Sequence, residues 1–287
     1  MGELYLGTSG WNYPEPPPNG WLGVFYPTRK TKMLQHYSQF FNTAEMDSTF
    51  YEKLYSNMTK GTFIGISKAV PEGFLFSLKL PETITHKKRL DARKGAFDDF
   101  QEFIDKISPL KTTNKLGALL IQLPPSFGVS EFRNVQSFLE RLPSNYDYAI
   151  EFRHGSWQTE GPWELLKHYN ISAVITDCPD PKLQFLSEIS VTAENSFIRW
   201  HGRGKESWYY YYYKKEEFVP WLDKVKKIVE ETKKTYGYFN NHFSAWAVAN
   251  CLQFTEMIGR INEEQKKVLK SVEMVLSGKA PTLDQYH

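Results

Sequence analysis

Short β-type runs alternate with longer helical stretches from the first residues to about position 261, and this rhythm restricts the fold more than any single motif. Runs rich in β-branched and aromatic residues are predicted as strands at 4–9, 43–48, 74–79, 118–123, 148–152, 173–176, 197–201 and 236–240. Helices are predicted at 32–41, 96–108, 130–142, 163–169, 215–234 and 244–260, several with acidic or small polar starts and basic ends. The stretch 184–188 is too short to assign. Eight units without a long linker favour one α/β domain, a single closed (β/α)₈ TIM-type barrel, over an open doubly wound sheet. No Gly-x-Gly-x-x-Gly or Gly-x-x-x-x-Gly-Lys-Ser/Thr run follows any of these strands, which weakens the nucleotide-binding forms of the open sheet. The barrel is expected over about residues 4–261, and residues 262–287 read as an appended C-terminal helix, 263–276, and a Gly- and Pro-punctuated tail. Val268, Val272 and Val275 form one apolar stripe on that helix, suited to packing on the barrel exterior or a second subunit.

Composition narrows the function classes. A chain of 287 residues, 41% hydrophobic and 16% aromatic, can bury a large core, which excludes general disorder. Thirty-five Lys and Arg against 33 Asp and Glu give a net charge of +2, too small for a generic polyanion binder but compatible with a local basic cleft. Cys178 and Cys251 are the only cysteines, so no disulfide framework or cysteine-rich metal site is expected. With no basic-then-apolar leader and no long apolar run, the expectation is a cytoplasmic protein that does not enter a membrane.

Alternate residues of a strand share a face. Glu45 and Asp47 share one, as do Glu151 and Arg153, and Arg199 and His201. The third strand ends in Lys79 and the fourth in Gln122; the sixth leads into Asp177, the eighth closes with Asn240 and Asn241, and the first delivers Ser9 and Trp11. Pointed into a barrel, these groups converge on its C-terminal mouth, where barrel enzymes hold their active sites. A network of structural ion pairs is the competing reading for each residue alone; for the set, the cost of burying so many ionisable groups favours function.

The same residues lie in runs that resemble the YecE-like family. These runs are Gly7-Thr8-Ser9-Gly10-Trp11, Trp21-Leu22-Gly23-Val24-Phe25-Tyr26-Pro27, Thr49-Phe50-Tyr51, Ile84-Thr85-His86 with Arg89-Leu90, and Gln122-Leu123-Pro124-Pro125-Ser126-Phe127. Glu151-Phe152-Arg153 with Ser156-Trp157, Asp177-Cys178-Pro179, Arg199-Trp200-His201-Gly202 and Phe239-Asn240-Asn241 complete the series, over about residues 4–255. The resemblance implies a TIM-type barrel and no known reaction. Two positions depart from the family pattern: Asp47 stands where Asn is usual, and Ala245 where Gly is usual.

Three chemistries suit the mouth. Glu45 and Glu151, on strands two and five, are a carboxylate pair for acid/base work, with Asp177 and His201 as further catalytic candidates and Trp11, Tyr51, Trp157 and Trp208 as stacking surfaces. Glu45, Glu151, Asp177, His86 and His201 have the donor types for a divalent ion, yet no His-x-His or His-Glu-x-x-His spacing occurs and nearby cations compete, so no metal site is expected. Lys79, His86, Arg89, Arg153, Arg199 and His201 form a basic set, with Gln122, Asn240 and Asn241 as neutral donors, which suits an anion. The reading is therefore an enzyme of acid/base type, a hydrolase being one form, acting on a small anionic or phosphorylated molecule. The alternative is a non-catalytic binder of nucleic acid or a phosphorylated ligand, using the run Trp208 to Tyr213 as a stacking loop. Most of those rings are expected to pack on the barrel rim. Cys178 is expected to be a buried, inert thiol, and the sequence names no cofactor.

Overall fold

The structure, a computed structural model, describes residues 2–188 and 190–279. The Pro-containing end of the tail, 280–287, lies outside the described residues. In chain order the elements are β1 (Glu3–Thr8), α1 (Met33–Tyr37), β2 (Thr43–Met46), α2 (Glu52–Tyr55), α3 (Lys60–Lys68), β3 (Leu75–Lys79), α4 (Ala96–Thr112), β4 (Leu116–Gln122), α5 (Phe132–Leu139), β5 (Tyr148–Glu151) and α6 (Glu160–His168). They continue as β6 (Ser172–Asp177), β7 (Asn195–Trp200), α7 (Lys215–Glu231), β8 (Lys234–Phe239), α8 (Trp246–Met257) and α9 (Glu263–Leu276).

The eight strands are parallel and hydrogen-bonded in the order β1-β8-β7-β6-β5-β4-β3-β2. The two ends of that order meet through a single bridge between Ser9 and Glu45 and a 2.8 Å bond from the Gly10 amide to the Glu45 carbonyl. Below the bridge the Tyr37 hydroxyl spans the seam, accepting from the Thr8 amide at 2.9 Å and donating to the Thr43 carbonyl at 3.0 Å. This seam explains Gly7: a Cβ there would stand 2.2 Å from the Thr43 carbonyl oxygen, so only glycine lets β1 approach β2. The chain is thus a nearly closed (β/α)₈ barrel of TIM type.

All eight strands fall within two residues of their predicted bounds. Between β2 and β3 the chain forms two short helices, α2 and α3, that the pattern did not announce. The unassigned stretch before β7 is a 3₁₀ segment, Pro181–Ser187. On α9, Leu269 and Val272 are the buried residues, and Gln253 of α8 donates to Glu273 at 2.7 Å, so this helix rests on the barrel exterior.

Two apolar layers result. The larger packs between strands and helices, and a smaller one fills the barrel with Leu75, Leu120, Val174, Phe197, Tyr236 and Tyr238. The tyrosine hydroxyls of this interior floor are satisfied: that of Tyr236 donates to Asp147 at 2.9 Å, and that of Tyr238 donates to Ser77 at 2.8 Å and lies 2.7 Å from Thr43.

Candidate functional site

The strand period that fills the floor also builds the mouth. One step of two residues beyond the floor, the inward positions become Glu45, Gln122, Glu151, Arg199 and Asn240, with Lys79 one step beyond Ser77, and the next step brings Asp47, Arg153 and His201. Arg199 lies between the two glutamates. Its Nη2 donates to Glu45 Oε1 and its Nη1 to Glu151 Oε2, both at 2.5 Å, so one planar fork ties β2 to β5 through β7. Ser9 donates to the same Glu45 oxygen at 2.8 Å.

Glu151 is saturated. Its Oε1 accepts from Arg153 Nε at 2.7 Å, Gln122 Nε2 at 3.1 Å and His201 Nε2 at 3.2 Å, besides the Arg199 bond to Oε2. Burial pushes this carboxyl up, but Arg153, Arg199 and His201 together hold it well below the usual range. Asn240 Nδ2 lies 3.0 Å from His201 Nδ1, which places the ring proton on Nε2, facing Glu151. Burial, aided by Arg199 and Arg153, pushes His201 down to about 4 against the pull of Glu151, so at neutral pH it is a fixed neutral donor.

The other side of the mouth is unsaturated. Glu45 Oε2, Arg199 Nε and Arg153 Nη2 are buried without a hydrogen-bond partner among the described residues. Lys79 is only 8% exposed, and among the described residues its Nζ has no hydrogen-bond or ion-pair partner; it stands 3.4 Å above the Phe50 ring centroid. Burial, with Arg199 and Arg153 nearby, pushes this amine down to about 7, although Glu151 and Glu45 pull the other way. Burial raises Asp47 in turn, against Lys79 and Arg199. His86, beside Lys79 and Arg153, is lowered to about 4 by burial and those charges. Buried polar groups are normally paired, so a cluster of unpaired ones marks a surface built for a partner from outside the chain.

Comparison with known proteins places this barrel. A family model described as "Protein of unknown function DUF72" matches residues 5–273. The chain belongs to this family. Its relatives include the UPF0759 protein YunF of Bacillus subtilis, 26% identical over 89% of this chain and 94% of that one, and the UPF0759 protein YecE of Escherichia coli K12, 23% identical over 98% of each. A crystal structure of a DUF72 family protein from Thermotoga maritima, 29% identical, matches with a TM-score of 0.74 over 89% of this chain and 99% of that one.

Of the remaining candidates of this DUF72 chain, Asp177, Arg89, Trp157 and Asn241 are engaged apart from that cluster. Asp177 faces Arg203, whose Nη2 and Nε donate to it at 2.7 and 3.1 Å, and it accepts from the Tyr213 hydroxyl at 2.5 Å. Val174 belongs to the interior floor, so parity puts Thr176 on that face and Asp177 on the other. Arg89 grips Glu131 through two nitrogens and also binds Ser126. Trp157 is fully buried, stacked on Phe152 at 4.3 Å and donating to the Phe127 carbonyl at 2.7 Å. Asn241 is a buried brace, donating to the Tyr211 carbonyl at 2.9 Å and Asn250 at 2.8 Å. Trp11 and Tyr51 line a groove of about 490 Å³ beside the mouth, together with Tyr13, Asp47 and Met58.

Of the aromatic run, Tyr211 and Tyr213 are held by Glu217 and Asp177, whereas Tyr209 sits 6.0 Å from the His201 ring and reaches the mouth. Nothing local distinguished Tyr209 from its four tyrosine neighbours in sequence. Burial raises the Cys178 thiol to about 11, leaving little thiolate at neutral pH. Among the described residues, no group of three His, Cys, Asp or Glu side chains is placed to hold a metal, and no helix is long and apolar enough to cross a membrane.

Proposed function

We propose that this protein is an enzyme performing acid/base chemistry on a small anionic molecule at the C-terminal mouth of the barrel. The observation that carries this reading is the unpaired Lys79 ammonium beside the unpaired Arg153 Nη2. Two partly desolvated cations that leave binding capacity unused attract an anion more strongly than exposed ones do. With its amine near 7, Lys79 populates both protonation states at neutral pH and serves as the proton-transfer group. Glu45 offers its free Oε2 as the second acid/base atom, while Arg199, Glu151, Gln122 and His201 hold the frame in which both stand. Tyr51, Trp11 and Tyr209 form the rim against which the rest of the substrate packs.

The test is a thermal-shift and calorimetric titration with inorganic phosphate at fixed ionic strength. Wild-type protein is expected to gain about 2.7 kcal/mol of stability at a hundredfold excess over the dissociation constant. Lys79→Met should lose that response, and Arg93→Ala, whose side chain is 87% exposed, should keep it. A wild type indifferent to phosphate, or a response untouched by Lys79→Met, removes the reading.

A further inference from the structure

We infer that Lys79 is a nucleophilic amine that condenses with the carbonyl group of an anionic aldehyde or ketone, forming an imine in the barrel mouth. The inference rests on the mouth reading above and names its substrate class.

Four features of Lys79 point to covalent use over charge alone. It ends β3, a strand paired on both sides, so its backbone is fixed. The residue is only 8% exposed and, among the described residues, its Nζ has no hydrogen-bond acceptor, so reaction of the amine sacrifices no hydrogen bond to the protein. Among the described residues neither nearby glutamate forms an ion pair with it: Glu151 is held by Arg153 and Arg199, and Glu45 is drawn through Oε1 to Arg199 and Ser9, leaving Oε2 free. The Phe50 ring covers one side of the amine at 3.4 Å, which confines an incoming carbonyl to the opposite side. A lysine that is desolvated and crowded by other cations is the standard way a protein makes an amine nucleophilic near neutral pH. The anionic arm of such a compound has a ready partner in Arg153 Nη2, and the neighbouring Asp47 is the acid at hand.

The step balances without any redox partner. The free amine attacks the carbonyl carbon, a C–N bond forms as the C=O π pair moves to oxygen, and a proton passes from nitrogen to that oxygen. The carbinolamine then takes one proton from Asp47, and its C–O bond breaks to release water. The resulting C=N keeps the nitrogen proton as an iminium until that proton returns to the carboxylate.

The experiment adds pyruvate or dihydroxyacetone phosphate to the full-length protein with sodium cyanoborohydride, which reduces C=N to a stable secondary amine. Peptide mass mapping then locates the adduct. The expected result is one adduct per chain on Lys79, formed at least tenfold faster than on the exposed Lys53 and Lys205, and slowed by inorganic phosphate. Its rate should rise as pH passes through about 7, where Lys79 sheds its proton under the fields of Arg199, Arg153, Glu151, Glu45, Asp47 and His86. Lys79→Met and Lys79→Arg should carry no adduct at this position and label no faster than the exposed lysines. Labelling of Lys79 no faster than the exposed lysines overturns the inference. If phosphate still stabilises the wild type through Lys79 in that case, the imine fails and the anion-binding mouth stands. If phosphate is also without effect, both fail.

Discussion

The floor and the mouth of this barrel are made by the same strands, two residues apart on the same face, and they obey opposite rules. On the floor, Phe197, Leu120 and Tyr238 are packed and every hydroxyl has a partner. At the mouth, Arg199, Gln122 and Asn240 continue the same strands, and buried polar atoms are left unpaired. The backbone repeats the contrast. Among the described residues, the non-glycine residues with left-handed φ in the loops below the floor are Asn114 and Asn170, at 55° each, a residue type that tolerates that region. In the loops above the mouth they are Arg89, Leu90, Ser244 and Ala245, at 51–60°, which do not. Strain and most of the unmet polarity of the barrel interior lie at the mouth, sustained by packing below, although Asn195 Oδ1 at the start of β7 is also buried without a partner among the described residues.

The comparison breaks most visibly at Glu151, which lies in the mouth but has the saturated bonding of the floor. Glu151→Gln replaces an acceptor of four hydrogen bonds with a group that turns an NH₂ toward Arg and His donors. Chemical denaturation at pH 7 should show a loss of roughly 3–5 kcal/mol, the usual cost of stripping one partner from a buried ion pair. Because the folded carboxyl is held below its ordinary value of 4.5, this contribution is present above pH 4.5 and fades as pH falls toward the folded value. The gap between wild type and variant should therefore narrow in acid. A gap below about 1 kcal/mol would return Glu151 to the working side of the mouth.

Lys79 should show the opposite sign. Its folded value near 7 lies below the unfolded 10.5, so the unfolded chain holds the extra proton between those limits and wild-type stability climbs as pH rises across them. Lys79→Met removes a buried charge and keeps the stem, so it should gain about 1–3 kcal/mol at pH 7. The advantage should be full below pH 7 and shrink as pH approaches 10.5. Denaturation midpoints at pH 6, 8 and 10 read this directly, with constant slope as the control for an unchanged unfolded state. A destabilised Lys79→Met would mean the amine is a structural tie.

Much of this contrast was legible in the chain. Runs rich in β-branched and aromatic residues located all eight strands; parity paired Glu151 with Arg153 and Arg199 with His201, and strand-end position directed these, Glu45, Lys79, Gln122 and Asn240 to one mouth. The helices α2 and α3 were not legible, since one has four residues and the other carries Gly61 and Gly65 with no clear apolar stripe. Asp177 misled because its strand-end position was counted and its face was not; Thr176 holds the inward register. Trp157 gave no local sign that its indole would bond a carbonyl thirty residues back. Nor could composition say which cation stays unpaired: several compete for the same carboxylates, and the choice of Arg199 over Lys79 depends on the guanidinium fork spanning two glutamates at once.

The smallest effect tests the strain. Ala245 and Ala249 are both fully buried, and each loses one methyl on change to glycine. Ala249 lies inside α8, so Ala249→Gly should cost roughly 1–2 kcal/mol, from about 0.8 for the buried methyl and up to about 1 for helix propensity. Ala245 stands at φ 60°, where an alanine is strained by roughly 1–2 kcal/mol and a glycine is not. Relief of that strain offsets both the lost methyl and the greater freedom of glycine in the unfolded chain, so Ala245→Gly should change stability by less than about 0.5 kcal/mol. The difference between the two variants, measured in one denaturant series, isolates the strain held above the mouth. Equal losses would show that Ala245 is relaxed, and that the mouth differs from the floor in its side chains alone.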